Sequence, residues 1–122
     1  MWETLIARLK EAGMDTDAAL RRFVGSAELY GKFLNKFPED ENFSRIAPAL
    51  EKNDYEAVLT AAHTLKGVSG NLGMTRLFNA CSHTVALIRA EKYDEAKQFY
   101  SELKAAYDEV CELLAGRYDQ KR

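Results

Sequence analysis

A chain of 122 residues, 47% hydrophobic and 30% charged, has the make-up of a soluble globular domain long enough to bury a core without staples. Its formal charge of −2 argues against nucleic acid as a partner, because phosphate binding needs a basic surface. No apolar run approaches the roughly 20 residues of a membrane span, and Met1-Trp2-Glu3-Thr4 does not open a signal peptide, so a cytoplasmic, membrane-free protein is expected.

Almost nothing reads as strand. Trp2, Leu5, Ile6 and Leu9 recur at helical spacing and stop at Ala12-Gly13, where glycine suits a helix C-terminus. Asp15 or Thr16 can cap a short helix carrying Leu20, Phe23 and Val24, which Gly25 ends. Ser26 opens a stronger stripe of Leu29, Tyr30, Phe33, Leu34 and Phe37, and Phe37-Pro38 turns the chain away from helix. Phe43, Ile46 and Leu50 resume the period, with Pro48 expected to kink that segment or to begin a fresh turn.

Asp54 is a plausible cap for a helix reaching about Asn71, with a core stripe of Tyr55, Val58, Leu59, Ala62, Leu65, Ser69 and Leu72. The next helix, about Thr75 to Glu91, buries Leu77, Cys81, Thr84, Leu87 and Ile88. The last, about Tyr93 to Ala115, buries Ala96, Phe99, Tyr100, Leu103, Tyr107, Val110 and Leu114, and Asp119-Gln120-Lys121-Arg122 reads as a frayed tail. Long amphipathic helices joined by short links pack as antiparallel neighbours. The expected fold is therefore all-α: one domain over residues 1–122, an antiparallel four-helix bundle over about 26–115, with short N-terminal helices capping one end.

The run Ala62-His63-Thr64-Leu65-Lys66-Gly67-Val68-Ser69-Gly70-Asn71-Leu72-Gly73 carries the chemistry. Each glycine inside a helix costs about 1 kcal/mol against alanine, so the cluster wants a reason. With about 100° per residue and Ala62 taken as the stripe centre, His63 lies about 100° round, Gly70 about 80° and Gly67 about 140°. Lys66 lies about 40° round on the same side, and Thr60 near 160°. This predicts an exposed imidazole beside a strip of bare backbone that a large partner can approach, with Lys66 extending its ammonium outward. Imidazole can act as a covalent nucleophile, and a lysine at i+3 can stabilise a phosphoryl group on it.

Other chemistries fit less well. His83, Cys81 and His63 form no recognised metal-ligand spacing, and Cys81 lies on a core stripe, so no metal site is expected. The two cysteines, Cys81 and Cys111, lack a CxxC spacing and read as reduced core residues. The glycine run ends a helix and lacks the order of a nucleotide-binding loop.

The run from Ala62 to Gly73 resembles the histidine-containing phosphotransfer (HPt) domains of bacterial multistep phosphorelays, with alanine-histidine, then leucine, lysine and glycine, then small residues closing on leucine-glycine. Ala19-Leu20-Arg21-Arg22-Phe23-Val24-Gly25, followed by Glu28-Leu29-Tyr30 and Phe33-Leu34, is similar to the family's N-terminal segment, and Met74-Thr75-Arg76-Leu77 leading to Cys81 looks like its following helix. The resemblance implies that His63 accepts a phosphoryl group from the aspartate of a receiver domain and passes it to another, the receivers belonging to a hybrid histidine kinase or a response regulator. Lys66 would stabilise the phosphate, and Gly67, Gly70 and Thr60 would serve access and docking. The domain would be a monomeric phosphocarrier without kinase activity or a cofactor of its own, Mg2+ coming from the receiver. Val85 departs from the family, which often carries glutamate or glutamine there to orient the histidine; Thr84, His83 or a water could substitute. Two alternatives are a chemotaxis-kinase phosphoacceptor domain and a helical partner-binding module without phosphotransfer. The N-terminal segment fits the relay type better than the first, and retention of His63 and Lys66 speaks against the second.

Overall fold

In the computed structural model, residues 2–120 are described, with side chains described through residue 115. Helices α1 (Trp2–Glu11), α2 (Thr16–Arg22) and α3 (Ala27–Lys36) lead through a 3-10 turn at Phe37–Glu39 to α4 (Asn42–Glu51), α5 (Tyr55–Asn71), α6 (Thr75–Arg89) and α7 (Tyr93–Gln120). No strand occurs among the described residues. The all-α expectation holds.

Local signals set these boundaries. Asp15, Ser26 and Asp54 each accept a backbone N–H three residues on, from Ala18, Leu29 and Ala57, which closes one orphan donor per helix start. α5 ends in a Schellman motif: Met74 N–H donates to the Ser69 carbonyl and Gly73 N–H to Gly70, with Gly73 at φ +76°. The helix α4 runs unbroken through Pro48, so no fresh turn begins there. Pro48 lies on the exposed face, where water can take the bond that its missing N–H leaves open. The last helix also continues past Ala115 to Gln120. Asp119 and Gln120, expected in a frayed tail, are thus helical, while Lys121 and Arg122 lie outside the described residues.

Helices α4 to α7 pack as a ring of four, α5 lying between α4 and α6 and α7 closing against α4. Their core holds Ile46, Val58, Leu65, Leu77, Cys81 and Leu103, each fully buried. The N-terminal helices close the end where α5 turns into α6. Asp15 N–H donates to the Gly73 carbonyl at 2.8 Å, and the buried Tyr30 hydroxyl donates to the Leu72 carbonyl at 2.7 Å. Leu5 and Leu9 of α1 are fully buried and join the same core.

The buried stripe of α5 differs in phase from the expected one. Ala61, which the sequence reading left out, is buried, while Leu59, which it included, is only half-buried. Val58, Ala61, Ala62, Leu65 and Ser69 centre about 50° from Ala62 on the side away from His63. The imidazole therefore stands about 150° from the middle of the stripe. It is further from the core than the sequence implied.

Candidate functional site

α5 carries His63, Lys66, Gly67 and Gly70 on consecutive turns. His63 is exposed, and among the described residues no hydrogen bond or ion pair engages its ring. Gly67, one turn later, is exposed too, and a Cβ built on it would meet nothing within 4 Å. The approach to the imidazole from this side is open.

The other two glycines serve packing. A Cβ on Gly70 would lie 2.9 Å from Cδ1 of Phe78, whose ring from α6 rests on the glycine backbone. The expected strip of bare backbone is thus bare at Gly67 and covered at Gly70. Gly73 combines a positive φ with backbone so close to Asp15 that any side chain would collide with the Asp15 carbonyl.

Lys66 is half-buried, with its Nζ 5.8 Å from the centroid of the Phe78 ring. With Arg22, Asp15, Gly67, Gly70 and Phe78 it lines a cleft of about 360 Å³. His63 does not line this cleft; it stands one helical turn before Lys66 and Gly67 on α5. Arg22 donates from Nη1 to the carbonyl of Gly70 at 2.8 Å and so ties α2 to the orphan acceptors at the end of α5. Thr60 is exposed but lies elsewhere: it borders a hollow facing α4 with Arg45 and Asp54, and its carbonyl accepts from the Thr64 hydroxyl at 2.9 Å. The structure brings Lys66, Gly67 and Gly70 to one cleft and leaves Thr60 on the other flank.

The side chains considered as orienters of His63 are engaged otherwise. Val85 is buried and apolar. The buried Thr84 hydroxyl donates back to Ala80 at 3.0 Å, and the His83 ring stands edge-on to Phe99 with centroids 4.5 Å apart. Nor does Cys81 suit a metal. Burial pushes its thiol up to about 12, away from the thiolate that a metal requires.

Sequence reasoning missed Phe78 and Arg22. The first had a signal, since a glycine in mid-helix invites a bulky neighbour from the adjacent helix. Arg22, 48 residues from its acceptor, had none.

The family comparison covers most of this architecture. The model of the family described as Hpt domain matches residues 28–113, from early in α3 into α7 and through the whole of the α5 site. No curated protein and no solved structure gives a significant match to the chain. No helix among the described residues is long and apolar enough to cross a membrane. With a helical bundle, an exposed histidine and a family match over more than two thirds of its length, the chain belongs to the Hpt domain family, the phosphocarrier domains that engage receivers in two-component phosphorelays.

Proposed function

We propose that His63 is the phosphoacceptor of a cytoplasmic relay, taking its phosphoryl group from a receiver aspartate and giving it to the aspartate of a second receiver. The observation that carries this reading is the pairing of an unencumbered imidazole with open space over Gly67. A ring nitrogen attacks the phosphorus of the aspartyl phosphate. The P–N bond forms as the P–O bond to the aspartate breaks, and the carboxylate leaves with the electron pair. The second transfer reverses these roles. Transfer of this loose kind needs in-line positioning and charge stabilisation more than covalent chemistry. Lys66 supplies one cation from this side, while the receiver supplies the carboxylates and Mg2+. Gly67 admits the receiver surface, with Gly70 and Thr60 at the margins of the contact. Residues 1–122 act as one monomeric carrier domain with no kinase activity of its own.

The test is labelling of purified protein by phosphorylated receivers of its source organism. Wild type takes an acid-labile, base-stable label, as a P–N bond requires. His63→Gln takes none and keeps the helical circular dichroism of wild type, because the side chain lies outside the core. A labelled mutant, or an acid-stable phosphoester on wild type, would overturn the assignment.

A further inference from the structure

We propose that Phe78 is a positioning residue for Lys66 in phosphotransfer: its ring, seated against Gly70, holds the Lys66 ammonium in the cleft beside His63. The inference rests on the reading of His63 as the phosphoacceptor.

Lysine ends in a compact charge on a flexible stem, so an exposed ammonium spreads over many positions. Lys66 is constrained. It is half-buried, its Nζ lies 5.8 Å from the Phe78 centroid, and among the described residues no carboxylate pairs with it. The ring attracts the cation through its quadrupole. A carboxylate in the same place would also hold the lysine, but it would neutralise the charge that a phosphoryl group needs. An aromatic face restrains the ammonium and leaves its charge available.

Gly70 makes this arrangement possible. Phe78 Cδ1 and Cε1 would be 2.9 and 3.1 Å from a Cβ there, so any side chain at position 70 displaces the ring. The ring in turn occupies the space above Gly70 and keeps the lysine stem off that stretch of backbone. A glycine on α5, a phenylalanine on α6 and a lysine on α5 thus form a chain of contacts that ends at the Lys66 ammonium, whose residue stands one helical turn from His63.

Two measurements on the intact chain test this. In wild-type protein, the ε-methylene protons of Lys66 resonate upfield of the other lysines apart from Lys97, which lies over Tyr55. They also show cross-relaxation to the Phe78 ring. Phe78→Leu removes the upfield shift and slows transfer from a phosphorylated receiver about two- to fivefold, the range of a partly solvated cation–π contact. Phe78→Tyr keeps the ring face and recovers the rate. In a Lys66→Ala background Phe78→Leu has no further effect, because the cycle isolates the coupling between the two side chains. If wild type takes no label on His63, the phosphoacceptor reading itself fails. If wild type labels normally, three results overturn the role of Phe78 alone: no ring-current shift at Lys66, equal slowing in both backgrounds, or faster transfer in Phe78→Leu. The wild-type spectrum decides the contact even where a variant folds poorly.

Discussion

A β-carbon on Gly70 would sit 2.9 Å from Cδ1 of Phe78, whereas one on Gly67, a single turn earlier, would touch nothing within 4 Å. Two glycines of one helix face therefore answer to different constraints, and alanine substitution separates them. Gly67→Ala raises stability by up to about 1 kcal/mol through helix propensity. Gly70→Ala gains the same propensity but must push the Phe78 ring aside, so it falls below Gly67→Ala by about 1 kcal/mol or more. Gly73→Ala loses about 2 kcal/mol or more, since a left-handed φ costs an L-residue about 1–2 kcal/mol before the collision with Asp15 is added. Urea titrations of the three variants give this order directly. An equal response at positions 67 and 70 would show that the ring yields freely.

Access to the imidazole is tested by a larger side chain at the open position. Gly67→Gln keeps or raises stability by propensity, while transfer from a phosphorylated receiver slows sharply because the new side chain stands one turn from His63. The pair of measurements matters: slow transfer in a destabilised protein would show damage to the fold instead. Wild-type transfer rates in Gly67→Gln would refute the steric role.

Lys66→Ala slows transfer in both directions about ten- to a hundredfold, matching the roughly 1.5–3 kcal/mol of a charge-assisted hydrogen bond, yet His63 still takes label. Lys66→Arg recovers part of the rate, because a broad guanidinium replaces a compact ammonium between Gly67 and Phe78. Rapid-quench kinetics over a range of salt concentrations measures both. Unchanged rates in the alanine variant would reduce Lys66 to a surface charge.

Burial gives the fold an alkaline limit. It pushes the Cys81 thiol from 9.0 up to about 12, and the Tyr30 hydroxyl from 10.0 to about 12 with help from Asp15. Both groups stay protonated in the native state at pH values where the unfolded chain has lost those protons. Stability is therefore full below about pH 9 and falls as pH rises toward 12, by up to about 1.4 kcal/mol per pH unit for each group. Urea midpoints measured from pH 7 to 11 follow that descent, and Cys81→Ala descends less steeply above pH 9, where the Cys111 thiol, also raised by burial, still contributes. A flat profile across this interval would contradict the burial of both groups.

The stripe periodicities placed the helices of the bundle because buried positions repeat at 3.6 residues whatever the partner, although in α7 Phe99, Tyr100 and Tyr107 are half-buried and Ala106 takes a core position. Leu77, Cys81, Thr84, Leu87 and Ile88 are all buried as α6 was read. Phase within a stripe was harder. Ala61 is small enough to look neutral in sequence, yet it is buried, while Leu59 lies half out. The position of His63 was legible from its neighbours, but the separate duties of Gly67, Gly70 and Gly73 were not. Those depend on Phe78 and Asp15, which chain folding brings in from other elements, and a spacing along one helix carries no record of them.

The end of α5 has consequences for what counts as the folding unit. Asp15 holds Gly73, Tyr30 holds Leu72 and Arg22 holds Gly70, and two of these three anchors lie before residue 28, where the family match begins. Leu5, Leu9 and Ala19, fully buried, precede it as well. The stretch by which this chain is recognised is therefore smaller than the stretch that must cohere. Its first quarter acts as a splint on the end of the helix that carries His63.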